Sequence, residues 1–145
     1  MAISSRNERD ICRKTDELPR YESDLFYNLV QKERLARLIR LEMFDGSVVN
    51  DSSWPVLLEL FTSHLDGARM RTRALCALSS LPQTTTLRYL DHLEKFGFVQ
   101  REDDPMDQRI TLVSLTEVGA SSMRRYFERA IGGMGGSKLA EGEKS

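Results

Sequence analysis

Residues 81–119 read LPQTTTLRYLDHLEKFGFVQREDDPMDQRITLVSLTEVG. Pro82 suits the first position of a helix, and the pattern from there to Phe96 is amphipathic. Gly97 supplies its stop, since glycine takes the left-handed conformation that closes a helix. Thr86, Leu90, Leu93 and Gly97 fall at i, i+4, i+7 and i+11 and form the inward face, with Tyr89 on its flank. Gln83, Thr84, Leu87, Arg88 and Asp91 form the opposite, mostly polar face. Phe98–Glu102 and Ile110–Leu115 read as strands, with Phe98, Ile110 and Leu112 as candidates for one face and Val113 and Leu115 placed by register. Between them Asp103-Asp104-Pro105-Met106-Asp107 makes a turn whose acids can cap it. Thr116 caps the start of another helix.

A helix leading into a two-stranded ribbon is how a winged helix-turn-helix reads. The expected class is mainly α with a small β wing. Such a fold sets one helix in the major groove of DNA with a ribbon beside it. Upstream, Met70 and Thr72 fit a brief strand able to pair with the wing. Arg73–Leu78 fits a short helix and Ser79-Ser80-Leu81 the turn. Ser53 is the expected N-cap of a helix through Trp54-Pro55 to Asp66-Gly67, with Trp54, Leu57, Leu58 and Phe61 as its core face. From Ser23 to Phe44, Leu25, Leu29, Lys32, Ala36, Ile39 and Met43 keep a 4-3-4-3-4 spacing, and Leu35 and Leu38 widen a stripe that must be buried. In the last helix Met123, Tyr126, Phe127 and Ile131 share a face. The expected organisation is a flexible arm at 1–20, one domain at 21–131 with a dimerisation helix at 23–44, and a Gly-rich disordered tail at 132–145.

The 145 residues, 40% hydrophobic and 30% charged, fit one soluble domain. No run of 18 apolar residues suggests a membrane span, and the N-terminus lacks the apolar core of a secretory signal. Cys12 and Cys76 do not make a disulfide framework, and Cys76, in ALCAL, reads as buried. The expected compartment is the reducing cytoplasm. The net charge of −1 hides a local excess of +4 between Gly67 and Arg101. Arg69, Arg71, Arg73, Arg88, Lys95 and Arg101 stand there against Asp91 and Glu94.

Gln83 and Arg88 carry head groups suited to adenine and guanine edges. Thr84 and Thr85 can donate to phosphate, or simply cap the helix. Arg71, Arg73 and Arg101 add charge in the same block. Arg109 near the wing tip can enter a narrow, negative minor groove. Asp107 is placed to orient Arg109 or Arg101; a purely local Asp–Arg pair would contribute less than about 1 kcal/mol. No Gly-rich phosphate loop occurs, and His64 and His92 stand without ligands at metal spacing. An enzyme, a cofactor or a zinc site is therefore not expected. The competing reading is a winged-helix protein–protein interaction module or adaptor, suggested by Asp103, Asp104 and Asp107 at the tip. Leu87 is the only apolar residue on the outward face at 82–91, which favours double-stranded DNA.

The wing DPMDQRITLVSLTEVG, with Asp107, Arg109, Leu115, Thr116 and Gly119, resembles the wing of MarR-type winged helix-turn-helix regulators. LDHLEKFGFVQRE is similar to their recognition helix and first wing strand. The resemblance covers about Trp54 to Phe127. It implies a homodimeric transcription regulator on a pseudo-palindromic site, with the wing Arg109 in the minor groove. It also leaves room for an unknown small-molecule effector, which has no fixed motif. Family members usually dimerise through long helices at both ends. Here the C-terminal helix stops near Ile131, so the contact is expected at 23–44.

Overall fold

The computed structural model describes residues 20–133. Among them, five helices and three strands follow as α1 (Arg20–Met43), α2 (Trp54–Leu65), β1 (Met70–Arg71), α3 (Thr72–Leu78), α4 (Gln83–Lys95), β2 (Val99–Asp104), β3 (Asp107–Leu115) and α5 (Glu117–Gly133). The sheet is antiparallel with order β1-β3-β2. This is the mainly α, winged class expected from the sequence. Residues 1–19 of the expected arm and 134–145 of the expected tail lie outside the described residues. The chain divides into two units, residues 1–38 and 39–145.

In the first unit, residues 20–38 are one helical run. In the single chain its apolar stripe has no cover: Leu25 and Leu29 are 53% and 48% exposed. Within α1 only Ile39, in the second unit, is buried. Nothing else among the described residues of the first unit is available to cover a lone helix.

The second unit holds the core. Leu57, Leu60, Leu75, Leu90, Leu93, Met123, Val56 and Val113 are buried almost completely. Beside them Phe44 sits edge-on to Phe98 with centroids 6.1 Å apart, and Trp54 meets Tyr126 at 4.8 Å. Ser53 precedes α2 as expected, but its hydroxyl does not cap the helix. It donates to the Val48 carbonyl (3.1 Å) and accepts from the Asn50 N–H (3.0 Å), tying down a loop that buries Val48 and Val49. Other core assignments also move. Ile131 is 43% exposed, and Ala130 takes the inner position. Cys76 is half-buried, not buried.

Both wing strands extend beyond the expected limits, because ladder hydrogen bonds need backbone and not apolar side chains. Val99 pairs with Leu115 and Arg101 with Val113. Asp104 pairs with Asp107 after an irregularity at Asp103/Asp104, leaving Pro105-Met106 as the loop. Phe98 precedes β2, and Val99 fills the inward place instead. The brief strand expected near Met70 is β1, with Met70 opposite Val113 and Arg71 opposite Leu112.

Candidate nucleic-acid interface

The turn between α3 and α4 is set by short polar contacts. The Ser79 hydroxyl donates to the Leu75 carbonyl at 2.8 Å, and Ser80 adopts a positive φ of 58°. The buried Thr86 hydroxyl donates to the Pro82 carbonyl at 3.2 Å. With Leu90 and Leu93 also inward, Gln83, Thr84 and Arg88 are exposed, while Thr85 and Leu87 are half-buried. Gly97, expected inward, is exposed; its role is the turn, at φ 78°. The residue before α4 is Pro82, which has no side-chain cap to offer. Thr84 and Thr85 lie inside the helix instead of at its cap. The positive end of the helix dipole therefore faces out beside two hydroxyl-bearing residues.

The base of the wing is fastened to α5. The Thr116 N–H donates to the Phe98 carbonyl at 2.9 Å, and its hydroxyl donates to the Gly97 carbonyl. The Gly119 N–H in turn donates to the Thr116 hydroxyl at 3.1 Å. A Cβ on Gly119 would lie 2.1 Å from the Phe98 oxygen, so the helix can approach the strand only with glycine there. The Leu-Thr-x-x-Gly pattern is thus a cap and a close approach in one.

Near the tip, Asp107 grips Arg109 in a two-pronged pair, Nε to Oδ1 at 3.0 Å and Nη2 to Oδ2 at 3.1 Å. The Arg109 N–H also donates to Asp107 (3.1 Å), and the Met106 N–H donates to Asp104 (2.9 Å). Two of the tip acids therefore serve the turn itself. The Arg109 guanidinium holds the Asp107 carboxyl below the usual carboxylate range, helped by the Arg109 N–H and the charge of Arg71. Asp107 in turn holds Arg109 protonated, although the arginine side chain is 90% exposed.

Between α3, α4 and the wing lies a groove of about 610 Å³. It is lined by Arg71, Arg73, Gln83, Arg101, Asp107 and Arg109, with Thr72, Leu87, Ile110 and Thr111 as its remaining walls. Of the residues singled out from sequence, these six meet in one place. Thr84, Thr85 and Arg88 are not part of its lining and sit further along α4. Among the described residues Asp107 is the only acid in the groove. Thr72, expected in the brief strand, instead opens α3, and its hydroxyl donates to the Thr111 carbonyl (3.1 Å), joining the start of α3 to the wing. Sequence reading missed that Arg101 is held by Asp91 and Glu94, and Arg69 by Glu102. The i, i+3 spacing of the two acids on α4 was the available signal. Arg73, Arg88 and Lys95 make no ion pair among the described residues and carry the open positive charge.

This arrangement defines a winged helix-turn-helix. Residues 54–119 match the family model described as a winged helix DNA-binding domain. Among solved structures, the chain is similar to a mutant MepR from S. aureus bound to an oligodeoxyribonucleotide. That match has 15% identity and a TM-score of 0.66, over 85% of this chain and 84% of that one. A transcriptional regulator from Thermotoga maritima is similar at 17% identity and TM-score 0.60, over 83% and 78%. A mutant MarR from E. coli complexed with operator DNA is similar at 22% identity and TM-score 0.55, over 77% and 73%. No curated protein matches the chain. The chain carries a winged helix domain and has the fold of the MarR-type transcriptional regulators, as the wing motif implied. No helix among the described residues is long and apolar enough to cross a membrane.

Proposed function

We propose that this protein is a sequence-specific, DNA-binding transcriptional regulator of the MarR type that acts as a homodimer on a pseudo-palindromic site. The observation that carries the reading is the groove in which Arg71, Arg73 and Arg109 converge beside Gln83 at the exposed start of α4. In this reading α4 enters the major groove with Gln83 and Arg88 toward base edges. Thr84 and Thr85 meet phosphate, and Arg109, oriented by Asp107, reaches the minor groove. DNA-bound structures of MepR and MarR with this fold support double-stranded DNA as the partner. The test is titration of duplexes selected from a random pool at two salt concentrations. Phosphate contacts require affinity to fall with salt; no binding, or binding indifferent to salt, refutes the reading.

The dimer contact is proposed on α1, where Leu25, Phe26, Leu29 and Val30 are exposed on one helix. A contiguous apolar surface of this kind is covered in stable proteins. Sedimentation should give a dimer for the full chain and a monomer for Leu25→Glu/Leu29→Glu. A double variant that stays dimeric places the contact elsewhere.

A further inference from the structure

Arg101 lines the basic groove, yet its charge is already committed. Its Nη2 donates to Asp91 Oδ1 at 2.6 Å and to Glu94 Oε1 at 3.0 Å, and its Nε reaches Glu94 Oε2 at 3.5 Å. The side chain is only 24% exposed, whereas both carboxylates stand near one turn of α4 with more than a third of their surface in solvent. Arg101 itself is fixed on β2, opposite Val113. One guanidinium thus links the helix that would read DNA to the first strand of the wing. Without it, two carboxylates on that helix would stand unbalanced beside a polyanion. Charges closer than the screening length, about 8 Å at physiological salt, are little screened, so these carboxylates would repel a phosphate brought into contact with α4.

We infer that Arg101 is a positioning residue: it neutralises Asp91 and Glu94 and ties α4 to the wing, and it does not itself hold a DNA phosphate. The inference rests on the DNA-binding reading above and assigns a different role to one of its arginines. Glu94 and Arg101 are each stabilised in the charged form chiefly by their mutual hydrogen bond, in agreement with a committed pair.

The experiment compares wild type, Arg101→Gln, and Arg101→Gln combined with Asp91→Asn and Glu94→Gln. A charge-matched control combines Arg101→Gln with Asp66→Asn and Glu128→Gln, which are exposed acids distant in sequence from α4. Each is titrated against one duplex selected by the wild type, at three salt concentrations, and folding is followed by circular dichroism. Arg101→Gln should weaken binding roughly tenfold, the scale on which unbalanced like charge acts at an interface. Removing both carboxylates should return affinity to within about twofold of wild type, with an unchanged salt slope; the control should stay weak. If Arg101 holds a phosphate, the triple variant instead stays at least about fivefold weaker and its salt slope drops by about 0.9. That result, or rescue by the control, overturns the inference. Should Arg101→Gln fail to fold, the triple variant against wild type decides alone, since it leaves neither carboxylate unpaired. A wild type that binds no DNA removes the DNA-binding reading and this inference with it; binding without rescue removes only the inference.

Discussion

Replacing Gly119 by alanine puts a methyl carbon 2.1 Å from the Phe98 carbonyl oxygen, 2.9 Å from its carbon and 3.1 Å from its Cα. An unstrained carbon–oxygen contact begins near about 3.3 Å, so backbone must move by roughly 1 Å. The oxygen it strikes is the acceptor of the Thr116 N–H, and Thr116 also holds the Gly97 carbonyl. Movement there strains the cap of α5 and the entry to β2 together. Overpacking of this kind costs about 1–3 kcal/mol, and weakening the backbone hydrogen bond adds about 1 kcal/mol. Against this, alanine is better than glycine inside a helix by about 1 kcal/mol. The net expectation is a loss of about 2 kcal/mol. For a domain of this size that lowers Tm by roughly 6–10 °C. Gly132→Ala is the control, because a Cβ there meets nothing within 4 Å. The assay is thermal unfolding of both variants by circular dichroism. A Gly119→Ala protein that melts within about 2 °C of wild type refutes the close-approach account of the motif.

Arg109→Ala should weaken binding to a selected duplex and lower the salt slope by about 0.9 without changing the melting curve, because its side chain lies in solvent. Unfolding of that variant would instead make the pair with Asp107 structural. Gly97→Ala forces a Cβ into a backbone with φ 78° and should cost about 1–2 kcal/mol, read as a lower denaturant midpoint at constant m. Glu94 is held below its ordinary value of 4.5, chiefly by the hydrogen bond from Arg101. Its contribution to stability is therefore complete above the unfolded pKa and is lost as pH falls through the lower folded value. Melting temperature followed from neutral to acid pH should fall less steeply for Glu94→Gln than for wild type; parallel curves would contradict the assignment.

The wing region was legible because its signals are local. Gly97 had to end a helix, Thr116 had to begin one, and the β-branched run between them had to be extended. Tertiary placement decided the rest. The strands ran on through Asp103, Asp104, Gln108 and Arg109, whose side chains give no β signal because extended structure is set by backbone. Arg101 looked like a free cation until register set it opposite Val113 and within reach of two acids on α4. Conversely, the stripe through Leu25 and Leu29 was read correctly as helical, but periodicity says only that a face is apolar, not whether its cover lies in the same chain. Val48 and Val49 show the same limit in a loop. Their burial follows from the Ser53 and Asn50 hydrogen bonds around them, which no periodic pattern announces.

The knot of Gly97, Phe98, Thr116 and Gly119 has a bearing on how such a protein could change over generations. It clamps the two strands at their root, while the far end closes through only Pro105-Met106. Growth at that far end does not disturb the clamp, and lengthening a surface loop costs little chain entropy. Residues gained in matched pairs would keep inward and outward positions in phase and add about 3.3 Å of reach per residue in each strand. On the DNA-binding reading, the span touched can thus be lengthened or trimmed at the tip while the clamp and α4 keep their places.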